Sequence, residues 1–166
     1  VYPNGDALGF IDTFGLSPAL EDMGRYSLRW PGHCALWYPL VQLGLLDDQP
    51  LDLGRGLRRS PRQLLAQQLG PKLQFADDER DVCVVRVRAR GLRHGQPKEI
   101  TYDVVDRRDL DTGLFAMNHL VGFTAAIGAR MLLSDVVEGR GVLSPARAVP
   151  PAPFVAELER RGIRVS

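Results

Sequence analysis

The sequence is poor in the residues from which self-contained sites are built. It has two cysteines, Cys34 and Cys83, far apart and outside any C-x-x-C pair. Neither a disulfide framework nor a zinc site is indicated, and a reducing cytoplasm is the expected home. The three histidines, His33, His94 and His119, fall in different segments without convergent acidic ligands, which disfavours a metal centre. No G-x-G-x-x-G, Walker, H-E-x-x-H or G-x-S-x-G pattern occurs, so the usual nucleotide, metalloprotease and hydrolase motifs are missing. Charge of either sign is not in excess: 21 Lys and Arg stand against 20 Asp and Glu. A net charge of +1 gives no general attraction to nucleic acid or acidic membranes. The opening Val1-Tyr2-Pro3-Asn4-Gly5-Asp6 has no initiator Met, no basic n-region and no apolar h-region. It is expected to be the start of a piece cut from a longer polypeptide, and not a signal peptide.

What is present suits a folded protein. A chain of 166 residues, 45% hydrophobic and 25% charged, is expected to form a single domain, residues 1–166, with a real core. Its most site-like stretch is Arg29-Trp30-Pro31-Gly32-His33. Pro31 fixes φ and pushes Trp30 towards extended geometry, and Gly32 permits a sharp turn. The apolar residues Ala35, Leu36, Trp37, Leu40, Val41 and Leu43 follow at helical spacing, which places His33 near a helix N-terminus that favours an anionic ligand. A core Trp-Pro pair with a capping histidine is the structural alternative.

Along the chain, Ala7–Ile11 is short, apolar and bounded by turn residues, which predicts a buried strand. Ser17-Pro18 predicts a short helix over Ala19, Leu20 and Met23. Tyr26, Leu28 and Trp30 alternate with polar residues as a second strand carrying Arg29 on its polar face. A helix from about Cys34 ends before Gly44, and residues 45–59 form a basic connection. Ser60-Pro61 opens another helix through Leu64, Leu65 and Leu69 to Gly70. From Val82 to Arg90, Val85, Val87 and Ala89 alternate with Arg86, Arg88 and Arg90. Ile100, Tyr102 and Val104 alternate with Glu99, Thr101 and Asp103 in the same way, so the two runs predict a hairpin. Its expected register sets Arg90 beside Glu99, Arg88 beside Thr101 and Arg86 beside Asp103, which neutralises the basic stripe. No aromatics interleave it for stacking on single-stranded nucleic acid.

Leu114–Ala129 carries no charged residue if His119 is neutral. Asn118 and His119 inside it and Arg130 at its end argue against a membrane span. A helix from Gly113 to Leu133, roughly 31 Å long, is expected to be central and buried, with Asn118 and His119 completing a polar network or lining a pocket. Residues 139–153 predict an extended return. A last helix follows, with Phe154, Val155 and Leu158 inward and Gly162 as its stop. Paired antiparallel strands and these helices make the expected class α+β, a mostly antiparallel or mixed sheet with helices packed on one face.

Tyr26–Asp47, "YSLRWPGHCALWYPLVQLGLLD", resembles the C-terminal domain of the saccharopine dehydrogenase-like oxidoreductases, including those of the lysine 6-dehydrogenase type. Three further stretches continue the resemblance in order: "SPRQLLAQQL" at Ser60–Leu69, "YDVVDRRDLDTGLFAM" at Tyr102–Met117 and "GVLSPARAVPPAPFVAELERRGI" at Gly141–Ile163. The resemblance implies a fold like the C-terminal domain of glyceraldehyde-3-phosphate dehydrogenase. It also implies a homodimer and a substrate pocket that closes against a separate Rossmann domain holding NAD or NADP. The implied reaction is hydride transfer at a carbon bearing nitrogen in an amino acid or amine, a small-molecule substrate. This chain alone, without a nicotinamide site, would be inactive and bind no cofactor, metal, nucleic acid or membrane. In this frame His33 is the expected catalytic residue, exchanging a proton with the amine or an ordered water. Arg29, Trp30, Gly32, Asn118 and His119 are the expected substrate-binding residues, with Arg29 pairing a substrate carboxylate. Where relatives often read A-M-x-R-T-T, this chain reads Ala116-Met117-Asn118-His119-Leu120-Val121. That difference implies a different or less polar substrate, or a noncatalytic interaction module that keeps the fold.

Overall fold

Strand alternation, helix caps and turn glycines divide the 166 residues into short elements, seen in a computed structural model that describes residues 1–5 and 7–166. In chain order these are β1 (Tyr2–Pro3), α1 (Leu8–Phe14), β2 (Tyr26–Ser27), α2 (His33–Gln42), β3 (Leu51–Asp52), β4 (Arg58–Arg59) and α3 (Pro61–Leu69). A 3₁₀ turn at Gly70–Lys72 leads to β5 (Val82–Arg93) and β6 (Gln96–Arg107). A π-helical segment, Asn118–Phe123, runs into α4 (Thr124–Leu133), and α5 (Pro145–Ala148) and α6 (Pro151–Glu159) close the chain. The class is α+β. Among the described residues the strands form three separate antiparallel ribbons, β1-β2, β3-β4 and β5-β6, in place of the expected single sheet. The residues fall into two units: 1–5 with 23–76, and 7–22 with 77–166.

In the first unit, β1 pairs with β2 through Tyr2 opposite Ser27 and Pro3 opposite Tyr26. Of the strand expected over Tyr26–Trp30, only Tyr26–Ser27 is paired as β2. Asn4 finishes the ribbon, its side-chain amide donating to Ser27 Oγ at 2.6 Å. The helix expected after the Pro-Gly corner is α2, and Gly44 follows its end. Ser60 and Gln63 cap α3 reciprocally: Gln63 N–H donates to Ser60 Oγ at 3.2 Å, and Ser60 N–H donates to Gln63 Oε1 at 3.0 Å. Between these helices, the expected connection contains the small β3-β4 ribbon, turned over Gly54, Arg55 and Gly56.

The second unit starts with α1. Ala7–Ile11 is not a strand: Leu8–Phe14 is helical, and Gly15 ends it in the left-handed region at φ 62°. A five-residue apolar run has no period of its own. The i,i+4 pair Phe10 and Phe14, stacked with ring centroids 6.1 Å apart, is satisfied only by the helix. Ser17–Ala19 forms a turn instead of the expected helix, since so short a run does not repay helix nucleation. The β5-β6 hairpin has the predicted register, with Arg86, Arg88 and Arg90 facing Asp103, Thr101 and Glu99. Arg86 grips Asp103 in bidentate fashion at 2.7 and 2.8 Å. The core of this unit is Ile127, Met131, Val137, Leu158 and Ile163, packed with Leu120, Phe123, Val149 and Phe154. The long helix spans 116–133 and is buried along one stripe only; Met117, Val121, Leu132 and Leu133 are exposed. The expected all-round burial fails because α6 and the C-terminal segment cover a single side.

Candidate functional site

The Arg29–His33 corner belongs to the first unit. Its turn closes with His33 N–H donating to Trp30 C=O at 3.2 Å. Gly32 caps α2 at φ 87°, a left-handed backbone that any other residue would adopt only under strain, although a Cβ there would meet nothing within 4 Å. The Arg29 guanidinium lies 5.8 Å from the Tyr2 ring centre and donates from Nη1 to Leu28 C=O at 2.7 Å. Three of its five N–H donors sit on the other two nitrogens, which is what a carboxylate clamp requires. Trp30 is 77% exposed, so the structural alternative of a core Trp-Pro pair is not met. His33 is half-buried beside Trp37, with ring centroids 6.3 Å apart.

In the second unit the long helix presents a different chemistry. Asp81 begins it from outside, both carboxylate oxygens accepting from Ala116 N–H at 3.0 and 3.1 Å. A carboxylate there meets the positive end of the helix dipole. Asn118 Oδ1 reaches back to accept from Phe115 N–H at 2.8 Å. Buried positions then recur at Ala116, His119, Ile127 and Met131, with Phe123 half-buried between them. The π-helical widening at Asn118–Phe123 brings His119 onto Phe123, centroids 5.1 Å apart and planes 15° from parallel. Thr124 Oγ1 donates to the carbonyls of Leu120 and Val121 at 2.8 and 2.9 Å, satisfying acceptors that the widening disturbs.

His119 Nδ1 lies 2.8 Å from Asp106 Oδ2, and both side chains are largely buried. Near this pair stand Cys83 and Asp109. Burial pushes the Cys83 thiol up, and the charges of Asp81 and Asp106 add to that. The Thr112 hydroxyl, donating at 2.8 Å, and the Asp111 N–H hold the Asp109 carboxyl down, with a smaller contribution from His119. Arg108 stacks over Phe115 at 4.4 Å from the ring centre and donates from Nη1 to Glu79 C=O at 3.0 Å. An open depression of about 630 Å³ lies against the same helix, lined by Leu114, Met117, Asn118, Val121, Gly122 and Phe123.

Of the expected site residues, Arg29, Trp30, Gly32 and His33 share the corner, while Asn118 and His119 lie in the other unit. Neighbours in sequence, these last two do different things: Asn118 lines the depression and His119 turns to Asp106. Asp106, Asp81 and Asp109 were not singled out as site residues from the sequence. Their signal was the alternation of β6, which sets Asp106 opposite Cys83, together with the Asp-rich turn before the long apolar helix. Among the described residues no helix is long and apolar enough to cross a membrane.

These features lie in a chain that belongs to the saccharopine dehydrogenase C-terminal domain family, whose sequence profile matches residues 1–163. Among individual proteins, it is similar to the mitochondrial alpha-aminoadipic semialdehyde synthases. The Bos taurus protein is 30% identical over 126 residues, 75% of this chain and 13% of that protein. The Mus musculus protein is 29% identical over 220 residues, 98% of this chain and 23% of that protein. The chain thus spans less than a quarter of the length of these curated relatives.

Proposed function

We propose that this chain is the substrate-binding and dimerisation domain of a saccharopine dehydrogenase-like, NAD(P)-dependent oxidoreductase. The enzyme transfers hydride at a carbon bearing nitrogen in an amino acid or amine and works as a homodimer in the cytoplasm. The observation that carries this reading is the family match across residues 1–163. The dinucleotide belongs to a separate Rossmann domain, because the residues here do not fit it. α2 has Gly32 alone at its start and follows a two-residue antiparallel strand, not a glycine-rich turn leaving a parallel sheet. In that assembly the ribbons join a larger sheet of the glyceraldehyde-3-phosphate dehydrogenase C-terminal type.

Within this reading Arg29 pairs a substrate carboxylate, His33 exchanges a proton with an ordered water beside it, and Trp30 and Gly32 shape the corner. Asn118 offers its amide N–H groups to a ligand in the depression, since its Oδ1 is engaged by Phe115. The apolar lining of that depression suits a less polar substrate than a dicarboxylic amino acid. The intact protein, screened against amines and amino acids for nicotinamide reduction, tests the activity. Arg29→Ala should lower kcat/KM for a carboxylate substrate by roughly ten- to a hundredfold, the worth of a charged hydrogen bond, without shifting the melting temperature. Equal loss of activity and stability would make Arg29 structural. A noncatalytic dimerisation module is the second reading, favoured by exposed Trp30, Leu36 and Tyr38 along the corner and α2. Absence of nicotinamide reduction with every amine tried would establish it over the first.

A further inference from the structure

We propose that Asp106 and His119 form a proton-transfer pair, in which the carboxylate holds one side of the imidazole and the opposite nitrogen, Nε2, takes a proton from a substrate ammonium. The proposal rests on the reading of this domain as part of an amine or amino-acid oxidoreductase.

Three observations carry it. First, the ring is held on two sides, by Asp106 Oδ2 at 2.8 Å from Nδ1 and by Phe123 stacked at 5.1 Å. Orientation of that kind is what a catalytic imidazole needs and what a flexible surface histidine lacks. Second, Nε2 has no hydrogen-bond partner among the described residues, yet it is not among the polar atoms sealed from solvent. A histidine kept only for packing would bond both nitrogens or bury them unmet at a cost. Third, Phe123, the residue on which the ring stacks, also lines the 630 Å³ depression together with Asn118. The imidazole and the depression therefore share Phe123 as a neighbour. The titratable groups around it are Asp106 from β6, Cys83 from β5, and Asp109 and Asp81 from the loops flanking the hairpin.

The step moves one proton and no electrons. An ammonium N–H bond breaks, an Nε2–H bond forms, and the products are a neutral amine and an imidazolium facing the Asp106 carboxylate. The proton then passes to water, and the reverse transfer serves amine formation. Asp106 acts as a positioning residue: it fixes which nitrogen is free and stabilises the charge that develops on the ring.

The test uses the intact protein. His119→Gln, which keeps a polar side chain of similar reach, should lower kcat on the order of a hundredfold or more. It should leave the amine KM nearly unchanged and remove the acidic limb of the pH–rate profile. Asp106→Asn should cause a smaller loss in kcat of about tenfold, again without a matching rise in KM. Wild-type kcat and an unaltered pH profile in His119→Gln would overturn the assignment. A second measurement needs neither a variant nor activity. Diethyl pyrocarbonate acylates a reachable unprotonated imidazole nitrogen, and mass spectrometry locates the adduct. Labelling of His119 together with exposed His94 supports the pair; labelling of His94 with His119 untouched overturns it. A wild-type protein inactive with every amine sinks the functional reading, and the labelling then decides the accessibility of Nε2 by itself.

Discussion

The two units of this chain are stabilised in opposite ways. The second buries Ile127, Met131, Val137, Leu158 and Ile163 in one cluster, so each new turn of helix adds apolar area removed from water. Among the described residues of the first unit no hydrophobic side chain is buried; what it buries are two serines, Ser27 and Ser60. Their hydrogen bonds to Asn4 and Gln63 show what holds that unit: caps, turns and two-residue ribbons. Isolated helices and ribbons of this length are marginal in water without a face to pack on. Local chemistry can specify a geometry that it does not by itself stabilise. Leu36, Tyr38 and Val41 along α2 are accordingly exposed.

The contrast can be broken by two truncations. Ile127 is 0% exposed, and Ile127→Ala should destabilise the chain by about 2–5 kcal/mol, the range for emptying a packed site. Leu36 is 61% exposed, and Leu36→Ala should change stability by no more than about 0.5 kcal/mol. Urea unfolding of this chain measures both. Comparable losses would mean that the first unit has a core after all. Repeating Leu36→Ala in the intact protein sharpens the result: a cost that emerges only there locates the cover over α2.

The same contrast explains what could be read from the residues. The β5-β6 register was legible because alternation and opposite charges agree: a slip by one residue would set Arg86 against Tyr102 or Val104 and lose its grip on Asp103. α3 was legible because Ser60, Pro61 and Gln63 spell out a cap. Ala7–Ile11 was not, since five apolar residues fit a strand or a helix and only the Phe10-Phe14 contact decides. The π-helical segment left no mark in the apolar run around it. The His119-Asp106 pair joins a strand to a helix across a turn of unspecified length, so the sequence displayed two polar anomalies in the helix but not the partner of one. The Arg29–His33 corner was legible as a turn and helix start, whereas the exposure of Trp30 depends on what packs against α2, which local residues do not encode.

A smaller effect tests whether caps support the first unit as its lack of a core requires. Ser60→Ala removes an acceptor that is 2% exposed and leaves Gln63 N–H to find water or go unmet. The expected cost is about 1 kcal/mol, read as a fall in melting temperature of about 2–4 °C. Ser60→Asn, another good cap, should recover most of it. A neutral Ser60→Ala would mean that α3 is held by packing, and the difference between the units would narrow.

The smallest effect concerns the second unit's surface. The Arg86 guanidinium beside Asp103 holds that carboxyl below its ordinary value of 3.8, chiefly through the paired hydrogen bonds. A carboxyl depressed in the folded state favours folding above its unfolded value, and the contribution fades as pH falls through the folded value. Asp103→Asn should therefore lower the melting temperature at neutral pH by less than Ser60→Ala does. The gap to wild type should shrink as the pH is taken below the ordinary aspartate range. The pair is open to solvent, so salt should reduce the gap as well. The backbone bonds between Asp103 and Ser166, at 2.8 and 3.0 Å, survive the substitution and keep the C-terminus on the hairpin edge. A gap that is independent of pH would assign the effect of residue 103 to that edge pairing instead of to its charge.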